Sequence, residues 1–408
     1  MRICIVGPIA TENVAHLLGA KASASAPAGY VGAPILATLI ESLIERGHDI
    51  VGITTDAALL VKGGNIILQG ERLRMVYCPQ RPRAFLPAGG YWGRATDAFR
   101  VERRFLVEAI RTVEPDVVHA HWLYEFAWAA QDAGFPHVLT AHDSPAQILK
   151  YSRNLYRAAR YLMARRVASR ARHLTTVSPY MQHELAAITA ARVDVVPNPL
   201  PKHVLSVSTA QSDSIAEMGG KLVPRLAMVF NGWGSRKNGE AGLRAFALIR
   251  HELAEAELHL YGQGVGKGEE AARWAEANGL ADSVRFVGRL PHEQLLRQLS
   301  TCDLLLHPAL EESFGAVLIE AMSLGVPVVG GHESGAVPWV VGEGGRLVDV
   351  RSPQAMAQGA LVLLKNPMAL AAIGAQAKKS TLARFSPDAV AAAYEAYYRQ
   401  ALAEGHAL

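Results

Sequence analysis

The 408-residue sequence contains little cysteine and no long apolar run. Its three cysteines, Cys4, Cys78 and Cys302, lie far apart and lack the C-x-x-C spacing typical of metal or redox sites. We expect them to be reduced and buried, which favours a reducing, cytoplasmic compartment. No run of about 18 apolar residues occurs, so the sequence predicts no membrane-spanning helix. The apolar stretch 3–6 is too short for a signal peptide and is predicted to be the first strand.

The rest of the composition is that of an ordinary globular protein. Hydrophobic residues make up 50% of the chain and charged residues 19%. A chain of this length usually forms two domains of about 200 residues each. Positive charge is concentrated in the first half, because residues 1–200 hold 22 basic and 16 acidic side chains whereas the remainder holds 19 and 21. We therefore expect the first half to face the more anionic partner.

Short apolar runs alternate with helical patterns along the whole chain. This alternation is typical of parallel sheets covered by helices on both faces. Two such units predict an active-site crevice at the carboxyl ends of the strands, between the domains. In the first half, strands are predicted over 3–6, 49–53, 117–119, 138–141, 174–177 and 193–196, with helices over 34–46, 102–112 and 146–172. In the second half, strands are predicted over 226–230, 257–261, 284–287, 304–307 and 326–329, with helices over 239–251, 268–278, 292–299 and 315–324.

A break separates the two alternating regions. Three prolines in 197–201 interrupt the pattern, and a serine-rich stretch with paired glycines follows to about residue 223. We place the interdomain linker here, which gives an N-terminal domain over 1–200 and a second domain over 201–385. Ser386 and Pro387 are residue types that begin a helix, predicted over 387–403.

The strongest local signal is the pair Glu312 and Glu320, which flanks the start of the helix predicted after the strand 304–307. Backbone N–H groups at a helix N-terminus, with the helix dipole, suit an anion such as a phosphate. One carboxylate is thus expected beside a phosphate site and the other further along it. The alternative is structural, with Glu312 as a charge at a helix start and Glu320 as an exposed helix residue. The apolar neighbours at 316–322 argue against that alternative, because a lone buried carboxylate is costly.

With this E-x7-E pair as one of its marks, the sequence resembles the retaining glycosyltransferases of family four (glycosyl transferases group 1), which have the GT-B fold. The resemblance extends over nearly the whole chain, including the C-terminal helix. It implies two Rossmann-like parallel-sheet domains that face each other across a cleft, the first binding the acceptor and the second the nucleotide sugar. It also implies that the C-terminal helix, 386–408, crosses back and packs on the N-terminal domain. The other matching segments are Asp116-Val-Val-His119-Ala-His121, Thr140-Ala-His142, Thr176-Val-Ser178, Val196-Pro-Asn198 and Gly325-Val-Pro-Val328.

The resemblance also implies the donor-site residues. Glu320 is expected to hold the ribose hydroxyls of the nucleotide, and Glu312 the hydroxyls of the transferred sugar. Backbone amides from the helix start are expected to contact the sugar and the diphosphate. The residues of that helix start are Ser313, Phe314, Gly315 and Val317.

Fixed positive charge beside the leaving diphosphate is expected to be the largest contribution to catalysis. Lys237 matches the lysine of the family. Trp233 occupies the position of the family's arginine, so either Arg236 or another base replaces it; the alternative is that Arg236 and Lys237 form a solvated loop pair. A second departure lies at 334–339, where Ser334-Gly335 and Pro338-Trp339 stand in place of the family's usual residues. The motif Asp-x-Asp, whose carboxylates would hold a divalent cation, does not occur, which predicts a reaction without a metal.

Histidines at two strand ends are candidate catalytic and acceptor-side groups. His142 follows the strand 138–141, where a histidine of the family contacts the transferred sugar, and we predict it as a catalytic hydrogen-bonding group. The alternative is a loop histidine. His119 and His121 have H-x-H spacing, which admits a metal pair, but no third ligand is evident, so an acceptor-side or structural role is favoured.

Two further segments are candidate ligand contacts. Gly32, in the glycine-containing loop 29–34, is expected to let backbone amides approach the donor phosphate, as the family's loop does here. Tyr91 and Trp92 are predicted to offer a surface to the acceptor, with packing in the core as the alternative.

The segment 144–183 contains no acidic residue. A basic helix interleaved with tyrosine and leucine is typical of a surface that lies on an anionic bilayer or binds an anionic acceptor. We therefore predict peripheral attachment to the inner face of the cell membrane and a glycan or lipid-linked acceptor. The alternative is a solvated helix face, and nucleic acid is disfavoured because no binding module accompanies the charge. Its basic residues are Lys150, Arg153, Arg157, Arg160, Arg165, Arg166, Arg170 and Arg172.

Taken together, the sequence predicts a retaining, metal-independent transferase that moves a sugar from a UDP- or GDP-sugar to an acceptor. One alternative is a related sugar-nucleotide enzyme such as an epimerase. The other is a degenerate protein that binds the nucleotide without turnover, because Trp233 and Trp339 replace the usual residues.

Overall fold

The computed structural model describes residues 1–30, 32, 34–205 and 223–405. The chain divides into two compact units, Met1–Pro199 with Pro387–Leu408, and Leu200–Ser386. The serine-rich stretch proposed as a linker falls mainly on 206–222, outside the described residues, as do Val31 and Ala33 of the glycine-containing loop.

The first unit is built on a sheet of eight strands in the order β3-β4-β2-β1-β5-β6-β7-β8. Neighbours are parallel except at the edge, where β3 runs antiparallel to β4. Residues 3–6 of the central strand are fully buried, as expected for a parallel strand covered on both faces. The strands are β1 (Arg2–Val6), β2 (Asp49–Asp56), β3 (Ile66–Gln69), β4 (Leu73–Pro79), β5 (Val117–His121), β6 (His137–Ala141), β7 (Leu174–Thr176) and β8 (Val193–Val195).

The second unit has a parallel sheet in the order β11-β10-β9-β12-β13-β14. In each sheet the chain builds outward on one side and then returns to the other, so the order reverses between β1 and β5 and between β9 and β12. In such sheets ligands bind beyond the carboxyl ends of the strands at these switch points. The strands are β9 (Arg225–Asn231), β10 (Glu257–Gln263), β11 (Val284–Gly288), β12 (Leu304–His307), β13 (Val328–Gly331) and β14 (Gly345–Val348).

Helices flank both sheets, and several begin with a serine or asparagine cap followed by proline, as at Ser144, Ser178, Ser352 and Asn366. In the first unit they are Thr11–Leu18, Ala20–Ser23, Ile35–Glu45, Arg100–Val113, Glu125–Ala133, Pro145–Tyr151, Leu155–Ala168, Pro179–Ala186 and Pro387–Gly405, with a 3-10 turn at Val61–Gly63. In the second they are Gly239–Glu252, Glu270–Ala277, His292–Leu299, Ala316–Ser323, Val337–Val341, Pro353–Leu364 and Pro367–Phe385, with a 3-10 turn at Ser235–Lys237.

The C-terminal helix belongs to the first unit. Tyr394 and Tyr398 lie in the same core as Ile3 and Ile40. Glu395 on this helix forms ion pairs with Arg46 at 2.8 Å and with His48 at 2.8 Å. Apolar packing and a buried carboxylate therefore both fix the helix against the first sheet.

The prediction of two α/β units with parallel sheets is confirmed, but strands β3, β4 and β14 were not predicted, and two predicted elements have other bounds. The basic helix predicted over 146–172 is two helices, because Asn154 caps a new one by accepting a hydrogen bond from the Arg157 N–H at 2.9 Å. The strand expected at 326–329 runs two residues later, at Val328–Gly331.

The three cysteines are free and buried, as predicted. Within the described residues, no single helix is long and apolar enough to cross a membrane. One pair of helices, Pro353–Leu364 and Pro367–Glu404, passes that test jointly by length and composition but is bent by 98°.

Candidate active site

Two basic and two acidic side chains meet at the switch point of the second sheet. Lys237 Nζ lies 2.5 Å from Glu312 Oε1, and an Arg236 guanidinium nitrogen lies 2.8 Å from Glu311 Oε2. The bases come from the loop after β9 and the acids from the loop after β12, and these adjacent strands end at the same edge. Asn238 ties the two loops together, since its side-chain amide donates to the carbonyl of Pro308 at 3.0 Å.

Glu312 is held as a carboxylate. Burial raises the pKa of Glu312, but Lys237 and then His307, whose Nε2 lies 3.5 Å away, overcome this and hold the pKa well below its usual range. The Glu312 N–H donates to the carbonyl of Ser334, and the Glu312 carbonyl accepts from the Ala336 N–H at 2.9 Å. The segment 334–336, which departs from the family pattern, thus fixes the backbone of this glutamate.

The helix after Glu312 begins as predicted. Gly315 has φ +87°, a left-handed conformation that glycine adopts without strain, and the helix Ala316–Ser323 follows. Ser313 and Val317 are half-buried, while Phe314 is buried and packs edge-on against Phe385 with 5.6 Å between ring centres. The helix start is therefore anchored, with its first N–H groups and the positive end of its dipole beside Glu312 and Lys237.

Glu320 lies inside that helix and is only 7% exposed, so the alternative of an exposed surface residue is wrong. Its Oε1 lies 3.1 Å from Nε2 of His292, the first residue of the neighbouring helix. Nδ1 of His292 lies 2.6 Å from Nε2 of His203. Burial lowers the pKa of His292, but the bond to Glu320 outweighs it and raises the pKa above its usual value.

The two tryptophans at departures from the family pattern are packing residues. Trp233 lies edge-on to Phe230 with 5.5 Å between ring centres, and its ring covers Gly239 at the start of the following helix. Trp339 packs against Phe385 with 5.8 Å between ring centres. No arginine stands at the position of Trp233, and the nearby Arg236 is paired with Glu311.

In the first unit, three histidines line the ends of β5 and β6. His119 is fully buried, with its ring nitrogens 2.8 Å from the Tyr398 hydroxyl and 2.7 Å from the Thr140 hydroxyl. Both nitrogens are used inside the protein, so the acceptor-contact role predicted for His119 is corrected to the structural alternative. His121 is also buried, with Nδ1 2.9 Å from Nε2 of His142.

His142 is half-buried between His121 and Asn198, with its Nδ1 3.1 Å from the Asn198 side-chain oxygen. Because an amide oxygen only accepts, His142 Nδ1 carries the proton and its Nε2 accepts from His121. Burial lowers the pKa of His142 to about 3, against a smaller opposing effect of Asn198. The imidazole is therefore neutral at physiological pH, which suits a hydrogen-bonding group.

The remaining predicted contacts lie in exposed loops of the first unit. Gly32 is exposed, with φ +137°, and no atom of the other described residues lies within 4 Å of the position that an added β-carbon would take. Tyr30, two residues earlier, is tied to the segment after β1 by a hydrogen bond from its N–H to the Ile9 carbonyl at 3.1 Å. Tyr91 is half-buried and Trp92 is 68% exposed, which excludes the core alternative for Trp92.

The basic segment is divided between internal and surface roles. Arg160 pairs with Glu125 and stacks on Tyr124, 3.5 Å from the ring centre. Arg166 stacks on Trp128, 3.9 Å from the ring centre. Lys150, Arg153, Arg165, Arg170 and Arg172 are exposed, together with Leu155 and Leu162.

The residues that the sequence analysis did not identify are His307, Glu311, His292 and His203. His307 and Glu311 adjoin the E-x7-E motif at the carboxyl end of β12, so the switch-point rule would have identified them. His292 and His203 are remote from the motif in sequence and meet it only through packing. Within the described ranges, no group of three or more His, Cys, Asp or Glu side chains is arranged to hold a metal ion.

Comparison with known proteins accounts for most of the chain. Residues 34–203 match the Glycosyltransferase Family 4 model, and residues 226–380 match the Glycosyl transferases group 1 model. A 2-deoxystreptamine N-acetyl-D-glucosaminyltransferase of Streptomyces fradiae is 30% identical over 245 residues, which covers 54% of this chain and 55% of that protein. The chain thus spans about half the length of this relative.

Two solved structures show the same fold. Sucrose-phosphate synthase from Thermosynechococcus elongatus aligns with a TM-score of 0.70 at 19% identity, over 99% of both chains. Anabaena HepE, solved in complex with UDP and glucose, aligns with a TM-score of 0.65 at 17% identity, over 98% of this chain and 100% of that one. The fold class is GT-B, as the sequence predicted. The two family models fit consecutive halves of the chain, and the chain belongs to the family-four glycosyltransferases, group 1.

Proposed function

We propose that this protein transfers a sugar from a nucleotide-diphosphate sugar to a glycan or lipid-linked acceptor, with retention of configuration and without a metal. The observation that carries the proposal is the Lys237–Glu312 pair beside the N-terminus of the helix Ala316–Ser323. A cation and a helix N-terminus together match the charge of a diphosphate. The family membership supports sugar transfer as the chemistry.

The proposed donor site divides the nucleotide sugar among three groups. Lys237 and the amides of 314–317 stabilise the charge that develops on the leaving diphosphate as the glycosidic bond breaks. Glu312 is ionised, and its backbone N–H and C=O are both hydrogen-bonded. Its carboxylate accepts hydrogen bonds from the sugar hydroxyls. Glu320 accepts from the ribose diol. The acceptor hydroxyl attacks the same face of the sugar from which the phosphate departs, and the leaving phosphate oxygen takes its proton.

His142 is assigned to the transferred sugar as a neutral hydrogen-bonding group. Its low pKa disfavours a role as a base that must hold a proton at neutral pH. UDP- and GDP-sugars are the proposed donors. The complex of Anabaena HepE with UDP and glucose supports the first of these.

A donor screen tests the proposal. The protein is incubated with UDP-, GDP-, ADP- and dTDP-sugars in excess EDTA, and melting temperature and nucleotide release are measured. Stabilisation by one class, with release that persists in EDTA, supports metal-independent transfer. Glu320→Ala abolishes both, whereas Glu276→Ala, an exposed helical glutamate of the same unit, retains both. Stabilisation without release in the presence of membrane extract favours a degenerate binding protein, and an isomerised sugar nucleotide without acceptor favours an epimerase.

We also propose that the protein works in the cytoplasm at the inner face of an anionic membrane. Leu155 and Leu162, seven residues apart on one helix, are 79% and 62% exposed, and Arg153 and Arg165 are exposed near them. Apolar side chains among exposed bases suit insertion between acidic lipid headgroups. We expect flotation with vesicles that contain phosphatidylglycerol and not with phosphatidylcholine alone. Leu155→Ser with Leu162→Ser reduces flotation, whereas Leu248→Ser, at an exposed leucine of the second unit, does not.

A further inference from the structure

Glu320, the carboxylate proposed to bind the ribose, is the end of a chain of three side chains. Its Oε1 lies 3.1 Å from His292 Nε2, and His292 Nδ1 lies 2.6 Å from His203 Nε2. His292 is the first residue of the helix His292–Leu299, and Glu320 lies in the middle of the helix Ala316–Ser323. The E-x7-E motif does not specify this arrangement, because His292 precedes the motif by about one helix and one strand.

Both hydrogen bonds of the Glu320–His292–His203 series can form whether His292 is neutral or protonated. An ionised carboxylate only accepts, so His292 Nε2–H donates to Glu320. When His292 is neutral, its Nδ1 accepts from the Nε2–H of His203. When His292 is protonated, its Nδ1–H donates to His203 instead. In both states one tautomer of His203 completes the chain, and the donor to Glu320 is retained.

We propose that His292, supported by His203, is a positioning residue for the donor nucleotide, which fixes the Glu320 carboxylate for the two ribose hydroxyls. This inference rests on the proposed function, in which Glu320 binds the ribose. The bond to His292 engages Oε1, while a cis-diol needs two acceptor lone pairs, which Oε2 and the remaining lone pair of Oε1 provide.

Two physical effects make the histidine matter for binding. A glutamate that is already held in one rotamer does not lose side-chain freedom when the ligand binds. The entropy lost in ordering it therefore lowers the stability of the fold and not the affinity for the ligand. A buried carboxylate without a partner would also turn toward water, because its desolvation is not compensated. The hydrogen bond from His292 Nε2 supplies that partner and holds the Glu320 carboxylate in place.

The test measures nucleoside diphosphates directly. Binding of UDP and GDP is titrated calorimetrically, and donor KM and kcat are measured with the sugar nucleotide that the screen identifies. We expect His292→Ala to raise Kd and KM about 5- to 20-fold, with kcat changed less than about twofold. This is less than the roughly 10- to 150-fold of a whole hydrogen bond to a charged group, because Glu320 itself is retained. His292→Gln, whose side-chain N–H can donate to the carboxylate, recovers most of the loss. His203→Ala has a smaller effect, about 2- to 4-fold, because it acts through His292.

The decisive comparison uses a 2′,3′-dideoxynucleoside diphosphate. If His292 acts through the ribose diol, the wild type and His292→Ala bind this probe equally. His251→Ala, at a histidine whose side chain is 86% exposed in the same unit, serves as the control and leaves Kd unchanged for both probes. Melting temperatures of all variants show whether each one is folded.

The possible failures are distinguishable. If the wild type binds no nucleoside diphosphate, the proposed function fails and this inference fails with it. If Glu320→Ala weakens binding but His292→Ala does not, the ribose site stands and the positioning role is overturned. If His292→Ala weakens the binding of the ribose and dideoxy probes equally, His292 has only a structural role. That result also overturns the inference.

Discussion

Replacing Lys237 with methionine tests whether the Lys237–Glu312 pair is an electrostatic unit. Methionine keeps most of the length of the side chain and removes the charge. Nζ and Oε1 are 2.5 Å apart, and only 15% and 13% of the two side chains are exposed. Lys237→Met therefore leaves a carboxylate in a poorly solvated site, with His307 Nε2 still 3.5 Å from its Oε1.

The magnitude follows from the distance and the burial. At an effective dielectric constant of about 20, two charges at this separation attract by about 6 to 7 kcal/mol. Desolvation of both groups offsets a large part of this attraction. Removing one partner of a fully buried pair costs about 3–5 kcal/mol, and since this pair keeps some solvent contact, we expect about 2–4 kcal/mol.

The assay is urea unfolding of the whole protein. Hydrogen exchange of peptides from 225–231 and 304–323 reports the unfolding of the second unit. Lys237→Met with Glu312→Gln is expected to restore most of the stability, because it removes both charges, while transfer activity stays lost. Lys379→Met, at an exposed lysine of the same unit, is the control and changes neither property. A double variant no more stable than Lys237→Met would refute the reasoning.

The pH dependence provides a second check on the same pair. Lys237 holds the pKa of Glu312 below its usual value, so the pair stabilises the folded state above the ordinary carboxyl range and loses this effect as the pH falls. The stability difference between the wild type and Lys237→Met is therefore expected to shrink below about pH 4.5. A difference that is constant down to pH 3 contradicts an electrostatic origin.

Three further predictions concern other parts of the molecule. Hydrogen bonds from Arg46 and then His48 hold the pKa of Glu395 at about 2. Attachment of the C-terminal helix should therefore weaken as the pH falls from the usual glutamate value of 4.5 toward 2. In acid titration followed by circular dichroism, the stability of Glu395→Gln should depend less on pH than that of the wild type. Gly239→Ala should destabilise the second unit by about 1–3 kcal/mol, because its β-carbon meets the Trp233 ring at 2.1 Å, whereas Gly234→Ala meets no atom within 4 Å and should be neutral in thermal unfolding. His142→Ala should lower kcat about 10- to 100-fold at unchanged nucleotide Kd, and equal losses in both would contradict its assignment to the transferred sugar.

The sequence alone predicted the class of fold and placed Glu312 and Glu320 on either side of a helix start, where the structure has them. Alternation of apolar runs and helical patterns specifies parallel sheets, because a strand buried on both faces must be apolar throughout. The Glu312–Glu320 spacing could be placed at a helix start by local signals alone. Local signals compete where a capping residue lies inside a helical pattern, as at Asn154, whose cap divides the basic segment into two helices.

Tertiary structure decided which side chains are partners. Lys237 meets Glu312, and Arg236 meets Glu311, only because β9 and β12 are neighbours at the point where the strand order reverses. The sequence offered His119 as an acceptor contact, but its Nδ1 is hydrogen-bonded to the hydroxyl of Tyr398 in the C-terminal helix. His292 and His203 reach Glu320 through helix packing and not through a motif. Sequence periodicity determines which face of an element is buried, whereas the partner of a buried polar group depends on strand order and helix packing, which no local pattern encodes.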